Sequence, residues 1–199
     1  EIMLKFKTWL ESTDSSIRRK LQTAIARYLG QSFAVKSFKI DPNHGEEESE
    51  LLGKSDGIRQ DNGDIVVKNM KSGIHELLHQ AGFMPIGIGE FLNEGITQVV
   101  AEDIAKQQKL PIVNSYKENT DYVRKYLLPV IGISLQDFAR KYASSSNKGK
   151  LVVELVWNKN HDKFHDVSDW GNNPHASMLR TLPFIIGPYS QHLNFIVDN

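Results

Sequence analysis

The chain has 199 residues, enough for one domain with a substantial core, and 40% of them are hydrophobic, an ordinary fraction for a globular protein. Lys plus Arg and Asp plus Glu balance at 24 each, which gives no broad electrostatic case for nucleic acid or an anionic membrane, and no apolar run reaches spanning length. The absence of cysteine excludes disulfides, thiolate metal sites and cysteine nucleophiles; it suits secretion or export slightly better than a cytoplasmic setting without deciding between them.

The chain starts at Glu1 with no visible signal peptide, as expected of an excised domain or a processed product. Residues 2–11 and 15–29 are expected to be two helices. In the second, Ile17, Leu21, Ala24, Ile25 and Tyr28 recur at spacings of three and four, and Gly30 closes it. Residues 32–40 alternate Phe33, Val35, Phe38 and Ile40 and suggest a strand, followed by the turn signal Asp41-Pro42-Asn43-His44-Gly45. The acidic run Glu46-Glu47-Glu48-Ser49-Glu50 reads as a solvated loop or helix start, with a cation site as the alternative. Asn62-Gly63 lies between the β-prone segments 57–60 and 64–68 and predicts a hairpin.

Residues 75–79 read His75-Glu76-Leu77-Leu78-His79, the H-E-x-x-H pattern. On a helix, positions i and i+4 share a face one turn apart, so both imidazoles can grip one metal ion from the same side. Glu76 beside the first ligand can reach a metal-bound water as its base, which is what zinc-assisted hydrolysis needs. Ile74, Leu77, Leu78 and Ala81 supply an apolar helical face, Ser72 is the expected N-cap, and Gly82 is the expected left-handed terminator. The competing reading is a short amphipathic helix with two surface histidines.

A zinc site requires a third protein ligand and an open fourth position. The extended pattern H-E-x-x-H-x-x-G-x-x-H fails here, because its last position is Pro85. A glycine-rich turn over residues 83–90 leads instead into a helix expected over residues 91–108, whose first turn carries Phe91-Leu92-Asn93-Glu94-Gly95-Ile96-Thr97. This segment is similar to the W-L-N-E-G-F-A stretch of the aminopeptidase branch of the gluzincins, and to the N-E-A-I-S-D of their thermolysin branch. The resemblance covers residues 72–105 and implies that Glu94 is the third zinc ligand. The His79-to-Glu94 spacing is shorter than in either branch, as in a compact relative. The residue-level alternative for Glu94 is a first-turn glutamate that complements the helix dipole. Asn93, Thr97 and Gln98 are candidates to orient the ligands, whereas Glu102 and Asp103 are expected to face solvent. The zincin fold that the resemblance implies binds an extended substrate beside an edge strand, a role that falls here to residues 65–68 (Ile65-Val66-Val67-Lys68).

Lys109-Leu110-Pro111 breaks the chain, and helices are expected over 119–131, with Asn119 or Thr120 as cap, and over 134–142. Residues 144–149 read as a loop, residues 150–158 as helix or strand, and residues 182–186 as an apolar stretch. An oxyanion-stabilising donor is sought among Tyr116, Tyr122, Tyr126, Tyr142, His161, His165 and His175. Tyr122 is favoured, since it opens a helix soon after Glu94 and resembles the tyrosine segment of some compact gluzincins; a packed core tyrosine is the alternative. His161 and His165, at i and i+4, would form a second metal site if helical, although their glycine- and asparagine-containing surroundings favour a loop.

Together these features predict one α+β domain over residues 1–199 with a zincin-like metallopeptidase fold, mostly helical, its small N-terminal sheet preceding the active-site helix. The expected activity is hydrolysis of a peptide or protein substrate at one Zn2+ held by His75, His79 and Glu94, with Glu76 as general base and Tyr122 as oxyanion donor. The alternatives are a non-peptidase zinc hydrolase or zincin-shaped binding module, and a helical interaction domain in which the histidines are incidental. No nucleic acid and no membrane span are expected, and the oligomeric state is open.

Overall fold

The computed structural model describes residues 2–42, 57–59, 63–113 and 115–160. The architecture is α+β in the general sense, mostly helix with one small sheet. Among the described residues, no helix is long and apolar enough to cross a membrane. The chain groups into two compact units, one holding residues up to Phe83 together with Ala101–Asn114, the other holding Met84–Val100 and the residues from Ser115 onward.

In the first unit, α1 (Ile2–Leu29) is one continuous helix where two were expected. Ser12, Thr13 and Asp14 are weak helix formers, yet each costs well under about 1 kcal/mol inside a helix, less than nucleating a second one. Asp14 also serves the fold, since its Oδ2 accepts from the Ile40 amide at 3.3 Å. Gly30 follows the helix at φ 72°, as expected.

Three strands, β1 (Ser37–Ile40), β2 (Gly57–Arg59) and β3 (Asp64–Val67), form a sheet in the order β1-β3-β2. β1 is shorter than the alternation of residues 32–40 suggests. β2 and β3 are antiparallel with Ile58 opposite Val66, in keeping with the expected hairpin, whose Asp61 and Asn62 lie outside the described residues, as does the acidic run 46–50. β1 pairs with β3 in parallel, Phe38 opposite Ile65. β3 is therefore the central strand, with both hydrogen-bonding edges occupied. This overturns the assignment of residues 65–68 as a strand that pairs with substrate, because a strand with two partners has no free edge to offer.

The sheet and α1 form the packing surface for α2 (Gly73–Gln80). Leu21, Ala24, Ile25 and Tyr28 of α1, Phe38, Ile65 and Val67 of the sheet, and Ile74, Leu77 and Leu78 of α2 are all buried. Each large aliphatic side chain so buried contributes about 1.5–3 kcal/mol. A Cβ on Gly73 would lie 2.6 Å from Leu21 Cδ1 and 3.2 Å from Phe38 Cζ, so the missing side chain admits the first turn of α2 to this layer. Tyr28 donates to Asp103 Oδ2 at 2.6 Å; Asp103 is half-buried rather than facing solvent.

The second unit is helical. It contains the first part of α3 (Glu90–Gln108), then α4 (Lys117–Tyr122), a π-helical stretch Val123–Leu127, α5 (Leu128–Ile131), α6 (Leu135–Ser144) and α7 (Lys148–Asn160). The helix after the Pro111 break begins at Lys117, two residues before the expected Asn119 cap, because Tyr116 turns into the left-handed region at φ 56°. Asn119 instead sends its Nδ2 to the Phe91 carbonyl at 2.9 Å. Ser134 caps α6, its Oγ accepting from the Asp137 amide at 3.1 Å. α7 resolves the helix-or-strand ambiguity of residues 150–158, and the expected loop shrinks to residues 145–147. Leu92, Ile96, Val99, Val123, Leu127, Phe138, Tyr142, Val152 and Val156 are buried in this unit. Residues 161–199, with His161, His165, His175 and the 182–186 stretch, lie outside the described residues.

Candidate metal centre

α2 is entered through a 3-10 turn, Met70–Ser72, which is capped by Asn69: its side chain accepts from the Lys71 amide at 2.9 Å. Ser72 occupies the expected N-cap position of α2 but does not cap it with its side chain. It already has helical backbone angles, makes no side-chain cap bond, and its Oγ is buried without a hydrogen-bond partner. The side-chain cap bond is made three residues earlier, by Asn69, because the 3-10 turn extends the helical path backwards.

The other end of α2 matches the sequence expectation and matters for the chemistry. Gly82 has φ 111°, its amide donates to the His79 carbonyl at 3.3 Å, and the Phe83 amide donates to the Leu78 carbonyl at 3.0 Å. These two bonds satisfy carbonyls that a helix end leaves open. They also fold Phe83 back beneath the last turn, so that its carbonyl oxygen lies 2.7 Å from His79 Nδ1. A carbonyl only accepts, so Nδ1 carries a proton, and in the neutral ring Nε2 is then left with its lone pair. This is the tautomer that a metal ligand requires, fixed by a carbonyl beyond the ring.

The Nε2 atoms of His75 and His79 are 3.1 Å apart, with ring centroids at 4.8 Å and rings nearly perpendicular. Two nitrogens each about 2.0–2.1 Å from a common zinc would be about 3.1–3.4 Å apart at near-tetrahedral angles, so this separation suits a shared ion. His75 and Glu76 are buried, at 5% and 8% exposure, and His79 is half-buried. The reading of two surface histidines on a solvated helix does not describe these side chains.

α3 carries Glu94 in its first turns. One ligand atom from each of His75, His79 and Glu94 lies within 4.8 Å of the others, and the group can hold a metal ion. The donor set, two imidazoles and a carboxylate, fits zinc or another borderline divalent cation better than calcium, which takes six or more oxygens.

The flanks of Glu94 are tightly held. Asn93 is fully buried and its Oδ1 accepts from the Tyr142 hydroxyl at 2.8 Å. Thr97, also fully buried, donates its hydroxyl to the Asn93 carbonyl at 2.7 Å. At Gly95, an added Cβ would lie 2.7 Å from the Asn119 carbonyl oxygen and 2.8 Å from Val123 Cγ2. The glycine after the glutamate therefore lets the next helix approach α3 at backbone distance.

Tyr122 is buried, with its ring edge-to-face on Phe91 at 5.7 Å and tilted against Tyr126 at 5.1 Å. Tyr116 is exposed and Tyr126 half-buried. Tyr142 is tied to the Glu94 segment through Asn93. Its phenol is pushed well above the usual range, first by burial and then by the Glu94 carboxylate, so its hydroxyl stays protonated and donates. Lys148 was not singled out by the sequence. It is 1% exposed, its Nζ donates to the Tyr142 and Ser145 carbonyls, and burial pulls its pKa down to about 8. No protein-family model, curated protein or solved structure matches the chain.

Proposed function

We propose that the chain is a compact zinc metalloendopeptidase of zincin type, working as a single catalytic domain on peptide or protein substrates. The observation that carries this reading is the grouping of His75, His79 and Glu94 ligand atoms within 4.8 Å, with Glu76 between the two histidines on the same helix. When bound, zinc supplies Lewis acidity and lowers the pKa of a coordinated water, so that a nucleophile is present at neutral pH. His75 and His79 bind the ion through Nε2, and the Phe83 carbonyl keeps the His79 ring in the tautomer that leaves Nε2 unprotonated. Glu94 completes the ligand set. Glu76 takes a proton from the attacking water and passes it to the leaving amine. Tyr122 is the proposed oxyanion donor.

Glu76→Gln tests the assignment. The variant should bind one equivalent of zinc as the parent does and lose cleavage of a denatured protein panel by a factor of at least about a hundred, the usual contribution of a general base. Cleavage at the parental rate by Glu76→Gln would refute the base. Zinc binding by a parent that cleaves no protein would leave a binding module or a different zinc hydrolase.

A further inference from the structure

We propose that Tyr142 is a positioning residue for the metal centre, fixing the Glu94 segment through Asn93; the inference rests on the metal reading above. Glu94 stands near the N-terminus of α3, where a helix has few backbone bonds to hold it and readily frays. A monodentate or bidentate carboxylate ligand nevertheless has to be held to within about 0.5 Å. The turn is anchored from outside the helix. Asn93 and Tyr142 are both fully buried and are joined by the 2.8 Å bond from the tyrosine hydroxyl to Oδ1, across 49 residues of sequence. The tyrosine is itself immobilised. Phe138 packs on its ring at 5.5 Å, and the Lys148 ammonium lies 5.0 Å from that ring and donates to its backbone carbonyl.

Lys148 closes the circuit. Its Nζ also bonds the Ser145 carbonyl at 2.8 Å, satisfying two carbonyls at the C-terminus of α6, and its amide donates to the Ile86 carbonyl at 2.8 Å. Asn147, one residue earlier, is packed so closely on Gly87 that a Cβ there would meet its Oδ1 at 2.2 Å. The α6–α7 corner therefore grips both the loop that leads into α3 and, through Tyr142, the first turn of α3. Burying a lysine and a tyrosine hydroxyl costs desolvation energy that an apolar pair would avoid. Orientation of one particular side chain on α3 is a use that an apolar pair could not serve.

The test is zinc affinity by chelator competition, measured at a temperature where all proteins are folded. Tyr142→Phe removes one oxygen and keeps the ring. Its dissociation constant should rise roughly tenfold, the lower end of the range for groups that orient metal ligands, and the d–d spectrum of the cobalt-substituted protein should change. Asn93→Ala, which removes the other half of the bond, should weaken binding comparably, and the double variant should fall short of the product of the two effects. Val152→Ala, a cavity made at a fully buried position on α7, lowers stability without touching the bond and should leave zinc affinity unchanged. Affinity within twofold of the parent for Tyr142→Phe and Asn93→Ala overturns the inference, as does equal weakening in Val152→Ala, which would mark a general stability effect. A parent that binds no zinc removes the metal reading itself, independently of the variants.

Discussion

Gly95→Ala sets two physical effects against each other, and they predict opposite signs. In an exposed helix interior, replacing glycine by alanine stabilises by about 0.8–1.0 kcal/mol, because alanine has less backbone freedom to lose. Here the new Cβ would lie 2.7 Å from the Asn119 carbonyl oxygen, 2.9 Å from its carbonyl carbon and 2.8 Å from Val123 Cγ2. Two of these three neighbours are backbone atoms of a helix and cannot move aside by changing rotamer. Relief requires the start of the 117–131 helical stretch to retreat, which also strains the 2.9 Å bond from Asn119 Nδ2 to the Phe91 carbonyl. Overpacking of this kind costs about 1–3 kcal/mol, and a weakened hydrogen bond adds about 0.5–1.5 kcal/mol. Subtracting the propensity gain leaves a net destabilisation of about 0.5–3.5 kcal/mol. Urea unfolding with a shared m-value reads this as a lower midpoint, and in a chain of this length the melting temperature should fall by about 2–4 °C per kcal/mol. A variant stabilised by about 1 kcal/mol would show that helix propensity alone governs the site, and that Gly95 does not serve close packing.

Further outcomes follow from the same geometry. Gly82→Ala places a Cβ at φ 111°, so it should destabilise by about 1–3 kcal/mol and, by moving the Phe83 carbonyl off His79 Nδ1, weaken zinc binding; unchanged affinity in the folded variant would separate the turn from the ligand. Removing zinc with a chelator should lower the melting temperature by on the order of 10 °C when the starting zinc exceeds its dissociation constant a thousandfold, since the linked stabilisation is then about 4 kcal/mol. Lys148 gives a pH signature. Its folded pKa is pulled down to about 8 while the unfolded chain keeps the usual 10.5, so between these values the unfolded state holds more protons and stability rises with pH. The stability difference between the parent and Lys148→Met should therefore shift in favour of the parent by on the order of 2 kcal/mol between pH 7.5 and 9.5, read from urea midpoints; a pH-independent difference would mean that the lysine titrates normally.

The parts of the fold that could be read from the sequence are those whose determinants lie within one or two helical turns. The apolar spacing around His75 and His79, the left-handed Gly82 and the periodicity of residues 91–108 are local, and α2 and α3 appear where those patterns place them. Sheet order was not accessible in this way. The signal at Asn62-Gly63 predicts the pairing of β2 with β3, which the register bears out, but nothing local in residues 37–40 says that β1 adds in parallel to the other side of β3 and leaves it no free edge. Caps failed for a related reason. Ser72 and Asn119 have the right chemistry for an N-cap, but the 3-10 turn before α2 already holds Ser72 in a helical conformation, leaving its Oγ without a cap bond, and the left-handed Tyr116 starts the next helix upstream, freeing Asn119 to reach Phe91. The tyrosines show the limit most clearly. Tyr122 and Tyr142 both sit on short amphipathic helices after Glu94, and helical spacing cannot rank them. Their surroundings are tertiary: the Tyr142 hydroxyl meets Asn93, 49 residues away, with Lys148 and Phe138 holding that tyrosine in place, and the Tyr122 ring packs on Phe91 and Tyr126. The ligands of the candidate centre are thus written in local motifs, while the contacts that hold one of them in place depend on tertiary packing.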